Sequence, residues 1–106
     1  MAAKGFPVSV VGSSVKTVAA SSTDTILGTT GAIDDVLTHL VIIPATTSPG
    51  AVSIKDGSGS AITVFVGGTV PSIIPFPIPI NAASVSGGWK VTTGTNVSVV
   101  AVGNFT

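Results

Sequence analysis

The sequence predicts an all-β protein, an antiparallel β-sandwich of jelly-roll-like form with about eight short strands. Three observations predict it. Val, Ile and Thr supply 17, 10 and 14 of the 106 residues, and these stiff, β-branched side chains suit a pleated, half-buried surface better than a helix. The usual residues of a helix face are missing: there is no Glu, Gln or Arg, and Leu occurs only at positions 27, 37 and 40. Short apolar or alternating runs are separated by clusters of turn formers about every 8–12 residues, which is the spacing of a sandwich or barrel.

The chain divides into residues 1–13, an N-terminal arm or first strand, and residues 14–106, one β-sandwich domain. The first part holds an apolar stretch, Pro7-Val8-Ser9-Val10-Val11, poorly patterned for a closed core. Val15 to Ala19 and Thr25 to Leu27 are the strand candidates of the Ser/Thr-rich region, and Gly31-Ala32-Ile33-Asp34-Asp35 reads as a solvated turn. Val36 to Ile43 carries apolar residues on both faces and is expected to be a central strand. Pro44 ends it, and Thr46-Thr47-Ser48-Pro49-Gly50 forms a loop.

Ala51 to Lys55 and Ala61 to Val66 alternate cleanly on either side of Asp56-Gly57-Ser58-Gly59-Ser60, which predicts a β-hairpin. Pro71 to Ile80 predicts an edge strand. Alternate backbone N–H groups of a strand point to the same lateral side, so Pro75, Pro77 and Pro79 remove donors along one edge only. Phe76, Ile78 and Ile80 keep their donors along the other edge and feed one face of the core. After Gly87-Gly88, Trp89 to Thr92 places Trp89 and Val91 on one face, with Trp89 read as a core anchor. Val97 to Val102, apolar on both faces, is the last strand and central.

Composition narrows the function. Net charge is zero and 8% of residues are charged, whereas the surface of a freely soluble small domain is about 25–35% charged. Either Ser, Thr and Gly solvate this surface or other protein covers it. The longest aliphatic run, Leu40-Val41-Ile42-Ile43, is far short of the roughly 18 residues of a spanning helix, and five aromatic residues cannot furnish the girdles of a membrane barrel. No membrane partner is expected. The opening Met1 to Pro7 is broken by Gly and Pro before an apolar signal core develops, so synthesis in a cytosol is expected. Four Lys without Arg give no basic stripe for nucleic acid. Without Cys there is neither a disulfide framework nor thiolate chemistry.

No catalytic constellation is found. His39 is the only His and lies mid-strand between Leu37 and Val41, read as a side chain fixed by packing or at a subunit contact. No Gly-x-Ser-x-Gly elbow is present. Asp34-Asp35 lacks the Glu with which calcium loops usually finish, and Asp56 to Ser60 lacks the Gly-Lys-Ser/Thr ending of a phosphate cradle. Asn96-Val97-Ser98 and Asn104-Phe105-Thr106 match the glycosylation sequon by chance. Catalytic, cofactor and metal residues are therefore all expected to be absent.

The stretch Pro44 to Val66, PATTSPGAVSIKDGSGSAITVFV, resembles short structural proteins of tailed bacteriophages. The Pro-Phe-Pro-Ile-Pro run and the end from Trp89-Lys90-Val91-Thr92-Thr93-Gly94 to Asn104-Phe105-Thr106 are similar to them as well, so the likeness spans roughly residues 25–106. Small β-sandwich proteins of this type include capsid decoration, or cement, proteins. The resemblance implies a homotrimer on the outer capsid surface of the virion that clamps the major capsid protein. Alternatives are a head fibre, neck or tail subunit, or a carbohydrate- or host-surface-binding module, which would display Trp89 as an exposed platform.

Overall fold

The computed structural model describes residues 14–106, and the expected N-terminal arm of residues 1–13 lies outside the described residues. Eight strands and no helix are present among them: β1 (Ser14–Val18), β2 (Thr25–Ile26), β3 (Val36–Pro44), β4 (Val52–Asp56), β5 (Ile62–Phe65), β6 (Phe76–Ala83), β7 (Trp89–Thr93) and β8 (Val97–Asn104). They form two four-stranded sheets, both antiparallel throughout. The front sheet has the order β1-β8-β3-β6 and the back sheet the order β2-β7-β4-β5. The all-β sandwich expected from the composition is what the chain forms.

Side-chain alternation positions the core. In β8, Val97, Val99 and Ala101 are buried while Ser98, Val100 and Val102 are only half-buried. Leu40 and Ile42 of β3 lie opposite Ala101 and Val99 of β8 on one side and opposite Ile78 and Phe76 of β6 on the other. Val52 and Ile54 of β4 and Trp89 and Val91 of β7 close the core from the back sheet. Phe65 on β5 meets Phe76 on β6 edge to face, with ring centroids 5.4 Å apart, which seals the side where the two edge strands run together.

β3 and β8 are central in the front sheet and the proline-rich strand is its edge, as the sequence predicts. The strand begins at Phe76, however, and Pro71 to Pro75 is not part of it. The consecutive Ile73 and Ile74 break the alternation, and the chain there is crossing from the back sheet to the front one. Two backbone hydrogen bonds hold the start of the crossing to the 45–50 loop, Gly68 N–H to Pro49 O and Val70 N–H to Thr47 O, both 2.9 Å. β4 and β5 form the expected hairpin. Its Gly57 has φ 55°, and a Cβ there would lie 2.4 Å from the backbone nitrogen of Gly87, so glycine is required on two counts.

Asp35 corrects the expectation of a solvated turn. Asp34 is exposed, but Asp35 is 1% exposed. Its carboxylate accepts hydrogen bonds from the N–H and the hydroxyl of Thr106, its N–H donates to Ser84 Oγ, and its carbonyl accepts from the Trp89 indole. A buried carboxylate is tolerated because its oxygens are satisfied.

Candidate interaction surface

The two sheets turn very different outer faces to the surroundings. On the back sheet, Lys55 stands directly opposite Lys90. Like charges in that position repel, and Asp24 offsets them with an ion pair to Lys55 Nζ at 3.2 Å and a hydrogen bond from the Thr92 hydroxyl. The hydrogen bond from the Lys55 ammonium, aided by Thr92 and Lys90, holds the Asp24 carboxyl below its ordinary value against the opposing effect of desolvation. With Ser53 and Thr63 beside it, this face is solvated in the ordinary way.

Among the described residues the front sheet has no such charged cover. The ladder registers bring Val15, Val102, His39 and Pro79 into one row across the four strands, and Thr17, Val100, Val41 and Pro77 into the next. Ser98 and Ile43 continue the face. The core-side rows are Lys16, Ala101, Leu40 and Ile78, then Val18, Val99, Ile42 and Phe76, so the first set points away from the core. None of the outward residues carries a formal charge. Val15 is 69% exposed, and the central valines shield one another only laterally.

Further exposed apolar residues lie on β5 and on the crossing that leads to β6. From Gly57 through Trp89 no residue is charged, and within that stretch Ile62, Val66, Ile73 and Ile74 are all more than half exposed. The front-face residues are neighbours by ladder register, and contiguous apolar area, unlike scattered single residues, marks a contact surface.

The strand edges bear on how anything can dock. Pro77 and Pro79 lie opposite Val41 and His39, and the N–H groups that β6 offers β3 come from its non-proline residues. The outer edge of β6 therefore lacks donors at positions 77 and 79, in its first half. At the other edge, Lys16 of β1 stands in the core-side row yet is exposed at the margin of the sheet, a charge that a further strand there would have to bury. Among the described residues, both edges carry features that oppose strand addition while the face lies open.

The structure separates the residues weighed for chemistry. His39 joins the outer front face, half-buried between Val102 and Pro79. Asp35 is committed to Thr106, and Asp56 accepts from the N–H groups of Val85 and Ser86, fixing the loop before β7. Trp89 is 4% exposed and belongs to the core. Among the described residues no group of three or more His or Asp is placed to hold a metal ion, and no helix is long and apolar enough to cross a membrane. Neither a protein-family model, nor a curated protein, nor a solved structure matches this chain.

Proposed function

We propose that this chain is a non-enzymatic structural protein of a bacteriophage particle, of the capsid-decoration type. It is made in the host cytoplasm and binds the major capsid protein on the outer surface of the virion as a homo-oligomer, most simply a trimer. The observation that carries the reading is the outer face of the front sheet, two cross-strand rows of Val, Pro, Thr and His without an ion, bounded by guarded edges. Such a face gains free energy when other protein removes it from water.

The nested pairing of β1 with β8, β2 with β7, β3 with β6 and β4 with β5 supports the jelly-roll form of the sandwich. A carbohydrate-binding module is disfavoured, because Trp89 lies in the core and supplies no platform. A subunit that binds only the assembled lattice stabilises it by mass action, and several contacts per oligomer add avidity. Mixing the purified protein with undecorated capsids and sedimenting them tests this. Co-sedimentation with a raised capsid melting temperature is expected. No binding at saturating concentration would sink the proposal.

A further inference from the structure

Strict alternation along β3 cannot send both Leu37 and Leu40 into the core, because they are three residues apart. Both are fully buried nonetheless. The bulge supplies the extra residue: Leu37 and His39 lie opposite Gly103 and Val102, which are adjacent in β8. Counted by twos from Leu37, position 39 would point inward. Counted back from Leu40 it points outward, and the bulge sets it there. The one histidine of the chain is thereby turned onto the outer front face.

Its neighbours on that face are apolar. Val102 and Pro79 flank it across the ladders, and Val41 follows it on the same side of β3, with Val100 and Pro77 beside Val41. The strands on either side, β6 and β8, contain no charged residue, nor does the rest of β3. Lys16 is two ladders away on β1, in the core-side row. Asp34 and Asp35 precede β3, and the Asp35 carboxylate is held by Thr106. Among the described residues no acidic group pairs with the imidazole.

Position 39 is on a central strand rather than at the rim. A cover that reaches both Val102 and Pro79 must lie over the imidazole and take it out of water. Burying a charge without a partner costs far more than burying the neutral ring, and histidine is the side chain whose charge changes between about pH 5 and 8. By linkage, a cover that prefers the neutral ring expels the proton, and protonation weakens the cover by the same factor. The neutral ring prevails at higher pH, so contact is tightest there and loosens as pH falls.

Resting on the reading that the capsid protein covers this face, we propose that His39 makes attachment pH-dependent, firm at neutral pH and released in acid.

Co-sedimentation with undecorated capsids at about pH 7.5 and 5.0, at one ionic strength, tests this, with thermal melting of the free protein alongside. The affinity of the natural chain should fall roughly tenfold or more in acid. For His39→Gln and His39→Leu, which stay neutral, the ratio of the two affinities should lie within about twofold, whatever the value at pH 7.5. An acid loss that either variant keeps, or attachment of the natural chain that ignores pH, overturns the proposal and leaves the capsid role standing. Failure of both variants to bind at pH 7.5 overturns it as well, since a neutral side chain is all the contact requires. So does an acid drop in the melting temperature of the free protein that His39→Gln abolishes, because the chain would then cover the face itself. A natural chain that sediments with capsids at neither pH rejects the capsid role and this inference together.

Discussion

The indole Nε1 of Trp89 donates a 2.9 Å hydrogen bond to the main-chain carbonyl of Asp35, both residues being buried. That carbonyl also accepts from Ser84 N–H at 2.8 Å, and the Asp35 carboxylate receives both donors of Thr106. One residue thus ties together the exit of β6, the start of β7 and the chain beyond β8. Hydrogen bonds to charged groups are worth about 1.5–3 kcal/mol, and a neutral one about 1. Asp35→Ala should therefore lower unfolding stability by about 2–3 kcal/mol, and Trp89→Phe by about 1–2, the latter adding a small cavity. Urea denaturation reads both, with the midpoint falling at unchanged slope. A loss under about 0.5 kcal/mol for Asp35→Ala would show that Thr106 finds equal partners in water.

The elements of this fold were legible where periodicity and turn chemistry agree. The 51–66 hairpin, the central position of β3 and β8 and the proline edge can all be read from residue order. Asp35 could not, because its partners Ser84, Trp89 and Thr106 are at least 49 residues away. Two neighbouring aspartates look alike until the chain folds and one of them is enclosed. The outer front face was half legible. Apolar residues on both sides of β3 and β8 indicate a strand with two contact faces, but periodicity does not distinguish a second face covered by the same chain from one left for another. The bulge after Leu37, where the register shifts against both neighbouring strands, carries no turn-forming signal in Thr38-His39.

Leu40 and Val41 are chain neighbours on opposite faces of β3, and substitutions should separate folding from assembly. Leu40 is fully buried, so Leu40→Ala should cost about 2–5 kcal/mol. Val41→Lys should change unfolding stability by no more than about 0.5 kcal/mol, yet reduce self-association and capsid binding by tenfold or more. Thermal melting and sedimentation make the comparison. If Val41→Lys unfolds the chain as Leu40→Ala does, the outer face belongs to the subunit's own core.

Asp24 gives a pH signature. Its carboxyl is held below the ordinary aspartate range, first by the hydrogen bond from Lys55. A depressed folded-state value means that the pair stabilises above the unfolded pKa, and that this contribution fades as pH falls through the folded one, below about 3.9. Lys55→Met should move the Asp24 titration upward towards the ordinary value, while Lys90→Met, which removes a weaker and more distant charge, should move it less. Carboxyl-carbon NMR titration reads both shifts. Equal shifts would mean that the field of the whole face, rather than the Lys55 contact, sets the value.

The prolines of β6 make a prediction about what the fold avoids. Pro77 and Pro79 are exposed and contribute no side chain to the core, while Phe76, Ile78 and Ile80 pack against it. Replacing both with Thr leaves those core contacts and the ladder to β3 in place, since the donors facing β3 belong to the residues between. Two N–H groups then appear along the outer edge of the front sheet, a template for another strand. Pro77→Thr/Pro79→Thr should keep its melting temperature within a few degrees and aggregate markedly faster on incubation, by static light scattering and thioflavin fluorescence. Adding Lys at position 77 in place of Thr should restore solubility, because a charge on an edge strand deters pairing. If the Thr variant remains as soluble as the natural sequence, the prolines are not what keeps this edge unpaired.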